Sequence, residues 1–123
     1  MGRPAISPQP LANWLERQIE RAARAMSQEL GEDSVCTVHK DGRVTGGLKY
    51  QEGRMSALAG MRRALERGEL EPSVLASAEV QWSAEFETRR TASTSSPLWV
   101  SYATGGLDAV REARNRQQQP TPE

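Results

Sequence analysis

Chemistry has few places to start in this chain. Cys36 and His39 form a Cys-x-x-His pair, with Glu32 and Asp33 just upstream, and thiol, imidazole and carboxylate are the groups from which a nucleophile and its base are assembled. The segment reads as a strand, however, and side chains on a strand alternate, so Cys36 and His39 point to opposite faces and cannot serve one reacting atom. Each is the single residue of its type, which excludes a cysteine cluster, an intrachain disulfide and a multi-histidine metal site within one chain. Gly105-Gly106 is the other place, because two backbone N–H groups ahead of a helix at Leu107 could face an anion. Its spacing fits neither a phosphate loop nor a dinucleotide fingerprint, and an ordinary turn accounts for it. With no activated nucleophile and no convergent acid and base, the expectation is a non-enzyme with no catalytic residue, no metal and no cofactor.

Recognition is what remains. Sixteen basic and sixteen acidic side chains cancel, so any electrostatic case rests on local asymmetry. Residues 39–67 hold seven basic residues, among them Lys40, Arg43, Arg63 and Arg67, against three acidic ones, whereas residues 68–88 hold five glutamates and no basic residue. Two faces of opposite sign would steer and orient a partner; pairing between adjacent elements would erase them. Only Lys40 and Lys49 are lysines, and the fourteen arginines suit bidentate recognition of phosphate or carboxylate, although GC-rich coding also favours arginine together with Ala, Gly and Pro. Trp99 is the candidate anchor. On a strand it lies opposite Leu98, Val100 and Tyr102, and if those three face the helices, Trp99 is displayed on an open sheet face, where a large aromatic anchors an interface.

The elements that must position these residues follow from periodicity. Leu11, Leu15, Ile19, Ala22, Met26 and Leu30 recur at three and four residues and mark a helix over 11–30, with Trp14 at the edge of its apolar stripe and Glu20 and Arg24 spaced for an ion pair. Gly31 would end it in the left-handed region. Ser34–Lys40 and Arg43–Tyr50 flank Asp41-Gly42, the pair that a type I′ turn prefers, and predict a hairpin, with Gly46-Gly47 as a bulge. A second helix from about Glu52 to Arg67 buries Met55, Leu58, Met61 and Leu65 and stops at Gly68. Val80, Trp82, Ala84, Phe86 and Thr88 then alternate as a strand over 79–89, although a helix also fits Val74, Leu75, Ala78, Trp82 and Phe86. Residues 97–104 read as the partner strand, and Leu107 to about Arg116 as a last short helix.

The resulting order, α-β-β-α-β-β-α, predicts an α+β fold: a four-stranded antiparallel sheet with helices on one face. The expected organisation is a flexible lead over 1–10, a single domain over 11–116 and a disordered tail over 117–123. The opening residues lack an apolar signal run and no stretch approaches a membrane span, which predicts a cytoplasmic protein with no membrane partner. The expected function is binding another protein, as adaptor or inhibitor, through Trp99, Arg63, Arg67, Arg43 and Lys40, with self-association as a variant. Nucleic-acid binding through the basic 39–67 segment is the alternative.

Overall fold

Helix α1 spans Leu11–Leu30, the residues that the apolar spacing marks. Leu11, Leu15 and Ala22 are buried, and so is Trp14, whose ring joins the core. Glu20 and Arg24 stay exposed on the far side. The computed structural model describes residues 10–30, 46–92 and 96–116. Within them every further element is also helical: α2 over Gly46–Glu66, α3 over Glu71–Thr91 and α4 over Pro97–Asn115. The fold is therefore an all-α bundle, and the expected α+β sheet is overturned.

Each expected strand that the structure describes fails for a physical reason. Gly46–Tyr50, read as the end of a hairpin strand, forms the first turns of α2; Ser34–Lys40, the Asp41-Gly42 turn, Cys36, His39 and Gly31 lie outside the described residues. In α3, Pro72 occupies the first turn, Glu71 stands at the positive end of the helix dipole and Arg89 and Arg90 at the negative end, which together favour a helix over a strand. The strand-like alternation arises because α3 carries apolar residues around its whole circumference. Val74, Leu75, Ala78 and Trp82 turn inward, while Val80 is left 71% exposed. Ser96 and Pro97 start α4, which continues unbroken through the residues assigned to a strand, a turn and a short helix. The end of α2 is as expected: Gly68 has φ +92° and the Glu69 N–H reaches back to the Ala64 carbonyl at 3.1 Å.

Glycines inside α4 require an explanation, since each costs about 1 kcal/mol relative to alanine in a helix interior. The crossing of α2 and α4 supplies it. A Cβ on Gly53 would overlap the Tyr102 carbonyl, one on Gly105 the Tyr50 carbonyl, and one on Gly106 the ring of Trp82. The two main chains thus touch, and the dispersion contacts of a close crossing offset the propensity cost. Polar clamps flank it. The Tyr50 hydroxyl donates to Asp108 Oδ2 at 2.6 Å, and Arg54 donates to both carboxylate oxygens of Glu112 at 3.0 and 2.9 Å. Burial, reinforced by the Asp108 carboxylate, raises the Tyr50 phenol above its ordinary pKa. Burial works against the Arg54 cation, but the hydrogen bond and charge of Glu112 outweigh it, and the net shift is upward.

One end of the bundle is closed by a single carboxylate. Glu71, in the first turn of α3, accepts the Leu11 backbone N–H of α1 at 3.0 Å and the Arg116 guanidinium at 2.6 Å; Arg116 also donates to the Ala113 carbonyl at 2.9 Å. Arg116 is only 2% exposed, so these contacts stand in for the water that its guanidinium gives up on burial. All four helices contribute to one apolar core, in which Leu11, Leu58 and Val110 are fully enclosed. Among the described residues no helix is long and apolar enough to cross a membrane.

Candidate functional site

The close crossing of α2 and α4 fixes a run of three aromatic rings from core to surface. Trp82 of α3, buried, lies against Gly106. Tyr102, one turn earlier on α4, meets it with ring centroids 5.6 Å apart. Trp99, one turn earlier again, meets Tyr102 edge-on at 5.4 Å and an interplanar angle of 72°, the arrangement that aromatic quadrupoles favour. Trp99 alone of the three is well exposed, at 39%. Two cations rest on its ring: Lys49 Nζ of α2 at 4.5 Å from the centroid and the Arg89 guanidinium of α3 at 5.0 Å. Each brings its own counterion, Glu52 at 3.0 Å for Lys49 and Glu85 at 2.7 Å for Arg89.

Beside these rings is a depression of about 260 Å³ bordered by Ser56, Gln81, Glu85 and Arg89. It meets a second one of about 280 Å³ at Ser56, Gln81 and Trp82. Together they form one groove between α2 and α3. Small side chains make the room: Ala57, Gly60 and Ala64 on α2 face Val74, Ser77 and Ala78 on α3. Arg63 and Arg67 border the end away from Trp99.

Three of the five residues singled out by sequence therefore border one groove. Trp99 is there because it lies in the first turn of α4, with its N–H bonded to the Ser96 carbonyl at 3.1 Å, and the open sheet face expected to display it does not exist. Arg63 and Arg67 come from the last turns of α2 and its C-terminal flank. Lys40 and Arg43 lie outside the described residues.

The charges of the two segments are largely compensated in space, the acidic ones mostly by arginines outside the basic segment. Every glutamate of the acidic segment has an arginine partner: Glu69 with Arg67 at 2.9 Å, Glu71 with Arg116, Glu79 with Arg114, Glu85 with Arg89 and Glu87 with Arg90 at 2.7 Å. On the basic segment, Arg62 contacts Glu66 at 3.4 Å and Glu16 at 3.9 Å, and Arg54 holds Glu112. Arg63 is exposed and has no ion pair among the described residues. Among the described residues it is the groove arginine without an ion pair.

Sequence reasoning did not single out Trp82, Tyr102, Arg89 or Gly60 as site residues, and took Lys49 only as part of the basic 39–67 segment. The signal was present in helical spacing: Trp99 and Tyr102 at i, i+3, and Trp82, Glu85 and Arg89 at i, i+3 and i+7, share faces only once both segments are read as helices. Among the described residues no three of His, Cys, Asp and Glu come together as a metal site. Compared with models of protein families, with curated proteins and with solved structures, the chain matches none.

Proposed function

We propose that this chain is a non-enzymatic protein-binding module, of the adaptor or inhibitor kind, that receives its partner where α2, α3 and α4 meet around Trp99. The observation that carries the reading is the state of the Trp99 ring: 39% exposed, yet held by Tyr102, Lys49 and Arg89. A large aromatic already immobilised before binding surrenders little conformational entropy when a partner covers it, and Trp and Arg are the side chains that dominate interfaces. Selection of a random peptide library on the immobilised protein tests this. Sequences that enrich on the wild type and lose binding on Trp99→Ala support it; a library that never enriches, or enriches equally on both proteins, refutes it. Sedimentation equilibrium identifies a second copy as the partner if a dimer forms and Trp99→Ala dissociates it.

Nucleic acid is a second reading, supported by one observation that sequence order hid: Lys49 and Arg89 interleave with Trp99 in space. Weighing against it, both cations already occupy the Trp99 ring on which a base would stack, and the chain has no net charge. A mobility shift with DNA or RNA that weakens with salt and with Arg63→Ala plus Arg67→Ala favours this reading; no shift at low salt removes it.

A further inference from the structure

The groove carries more detail than its aromatic end, and the detail begins with Gly60. Helix α2 has glycines at 53 and 60 in its interior, two turns apart. Gly53 is required by the Tyr102 main chain, but among the described residues a Cβ on Gly60 would meet nothing nearer than Arg63 Nη2 at 3.9 Å. Packing among the described residues gives this helix-weakening residue no purpose. It opens the floor of the groove, and the Arg63 guanidinium lies back over the opening without a carboxylate partner among the described residues. Along the same walls stand the hydroxyls of Ser56 and Ser77 and the amide of Gln81, whose side chains make no hydrogen bond among the described residues.

Building on the protein-binding reading above, we infer that the groove takes an acidic segment of the partner in extended form, main chain against Gly60 and a carboxylate on Arg63. An extended segment presents peptide N–H and C=O groups that need partners when covered, and Ser56, Ser77 and Gln81 offer both donors and acceptors. A helix satisfies its own peptide groups and would leave these three side chains unanswered. The charge sign follows from pairing: Glu69 and Glu85 at the rim are neutralised by Arg67 and Arg89, which leaves Arg63 as the cation without a counterion. From Ser56 to Arg67 the groove runs about 16 Å at 1.5 Å per helical residue, the reach of roughly five extended residues.

The experiment uses the full chain and an array of synthetic peptides in four sets: unstructured acidic, unstructured neutral, unstructured basic, and the acidic sequences stapled as helices, with oligothymidylate alongside. Unstructured acidic peptides should bind the wild type best. Gly60→Leu, which improves helix propensity and fills the groove floor where the Arg63 guanidinium now lies, should weaken them by more than about tenfold, whereas Arg63→Gln should weaken them by about threefold to fivefold, a difference that shrinks with salt. Stapled helices binding best, equal binding of neutral or basic peptides, or retention of oligothymidylate in preference to peptides would each overturn the inference. Binding that Trp99→Ala abolishes and Gly60→Leu leaves intact overturns the groove assignment while the protein-binding reading stands; no peptide binding at all overturns both.

Discussion

The sharpest expectation is that one substitution made twice in the same helix has opposite effects. Alanine in place of Gly60 gains the helix propensity difference, about 1 kcal/mol, and among the described residues its methyl makes one ordinary contact, with Arg63 Nη2 at 3.9 Å. Alanine in place of Gly53 gains the same amount but drives a Cβ into the Tyr102 carbonyl. Because the obstacle is main chain and cannot rotate away, overpacking falls at the upper end of its usual range, about 3 kcal/mol. The net is a loss of about 2 kcal/mol at Gly53 against a gain of about 1 at Gly60. At about 4 °C per kcal/mol for a domain of this size, Gly60→Ala should melt about 4 °C above the wild type and Gly53→Ala about 8 °C below it. Urea unfolding followed by tryptophan fluorescence, with an unchanged slope, gives the free energies directly. Two stabilised variants would mean that α2 and α4 do not cross with their main chains in contact, and two destabilised variants would mean that the Gly60 groove is filled.

Other outcomes follow from the contacts at the ends and flanks of the bundle. Glu71→Gln leaves the buried Arg116 guanidinium without a counterion, and Glu71 is itself partly exposed, so the loss should be about 3 kcal/mol in urea unfolding, the lower end for a broken buried pair. Tyr50 has a folded pKa above its ordinary value of 10.0, so the folded state holds the phenolic proton more tightly. The stability this confers is complete below pH 10 and falls as pH rises toward the folded pKa; alkaline unfolding of Tyr50→Phe should lack this part of the pH dependence, and identical profiles would refute it. Trp99→Ala removes two cation–π contacts and an edge-on ring contact from a partly exposed site, and should cost about 1–2 kcal/mol of stability, so that loss of binding in this variant reports on the surface and not on unfolding.

What could be read from the sequence was the part in which local pattern and tertiary structure agree. Helix α1 is legible to the residue because Leu11, Leu15 and Ala22 repeat at the period that buries them. The Gly68 stop is legible because a left-handed residue at a helix end favours glycine. The second half of the chain misleads where tertiary contact overrides local preference. Gly105-Gly106 looks like a turn until the Tyr50 carbonyl and the Trp82 ring are placed against it, and no local window contains either partner. In α3, a helix apolar on all sides mimics strand alternation by placing Val80 and Ala84 outward and Trp82 and Phe86 toward the core. Trp99 and Arg63 were visible as residue types, but the groove joining them depends on small side chains from two helices meeting across space, and that has no signature along the chain.

The most direct measurement is a titration of the isotope-labelled chain with an unstructured acidic peptide, following the Trp99 indole N–H and the Gly60 amide by NMR. A single groove predicts that both signals move along one binding curve while the Trp14 indole, in the core, stays in place. Saturation of either signal with the other unmoved would contradict a continuous docking surface between Trp99 and Arg63.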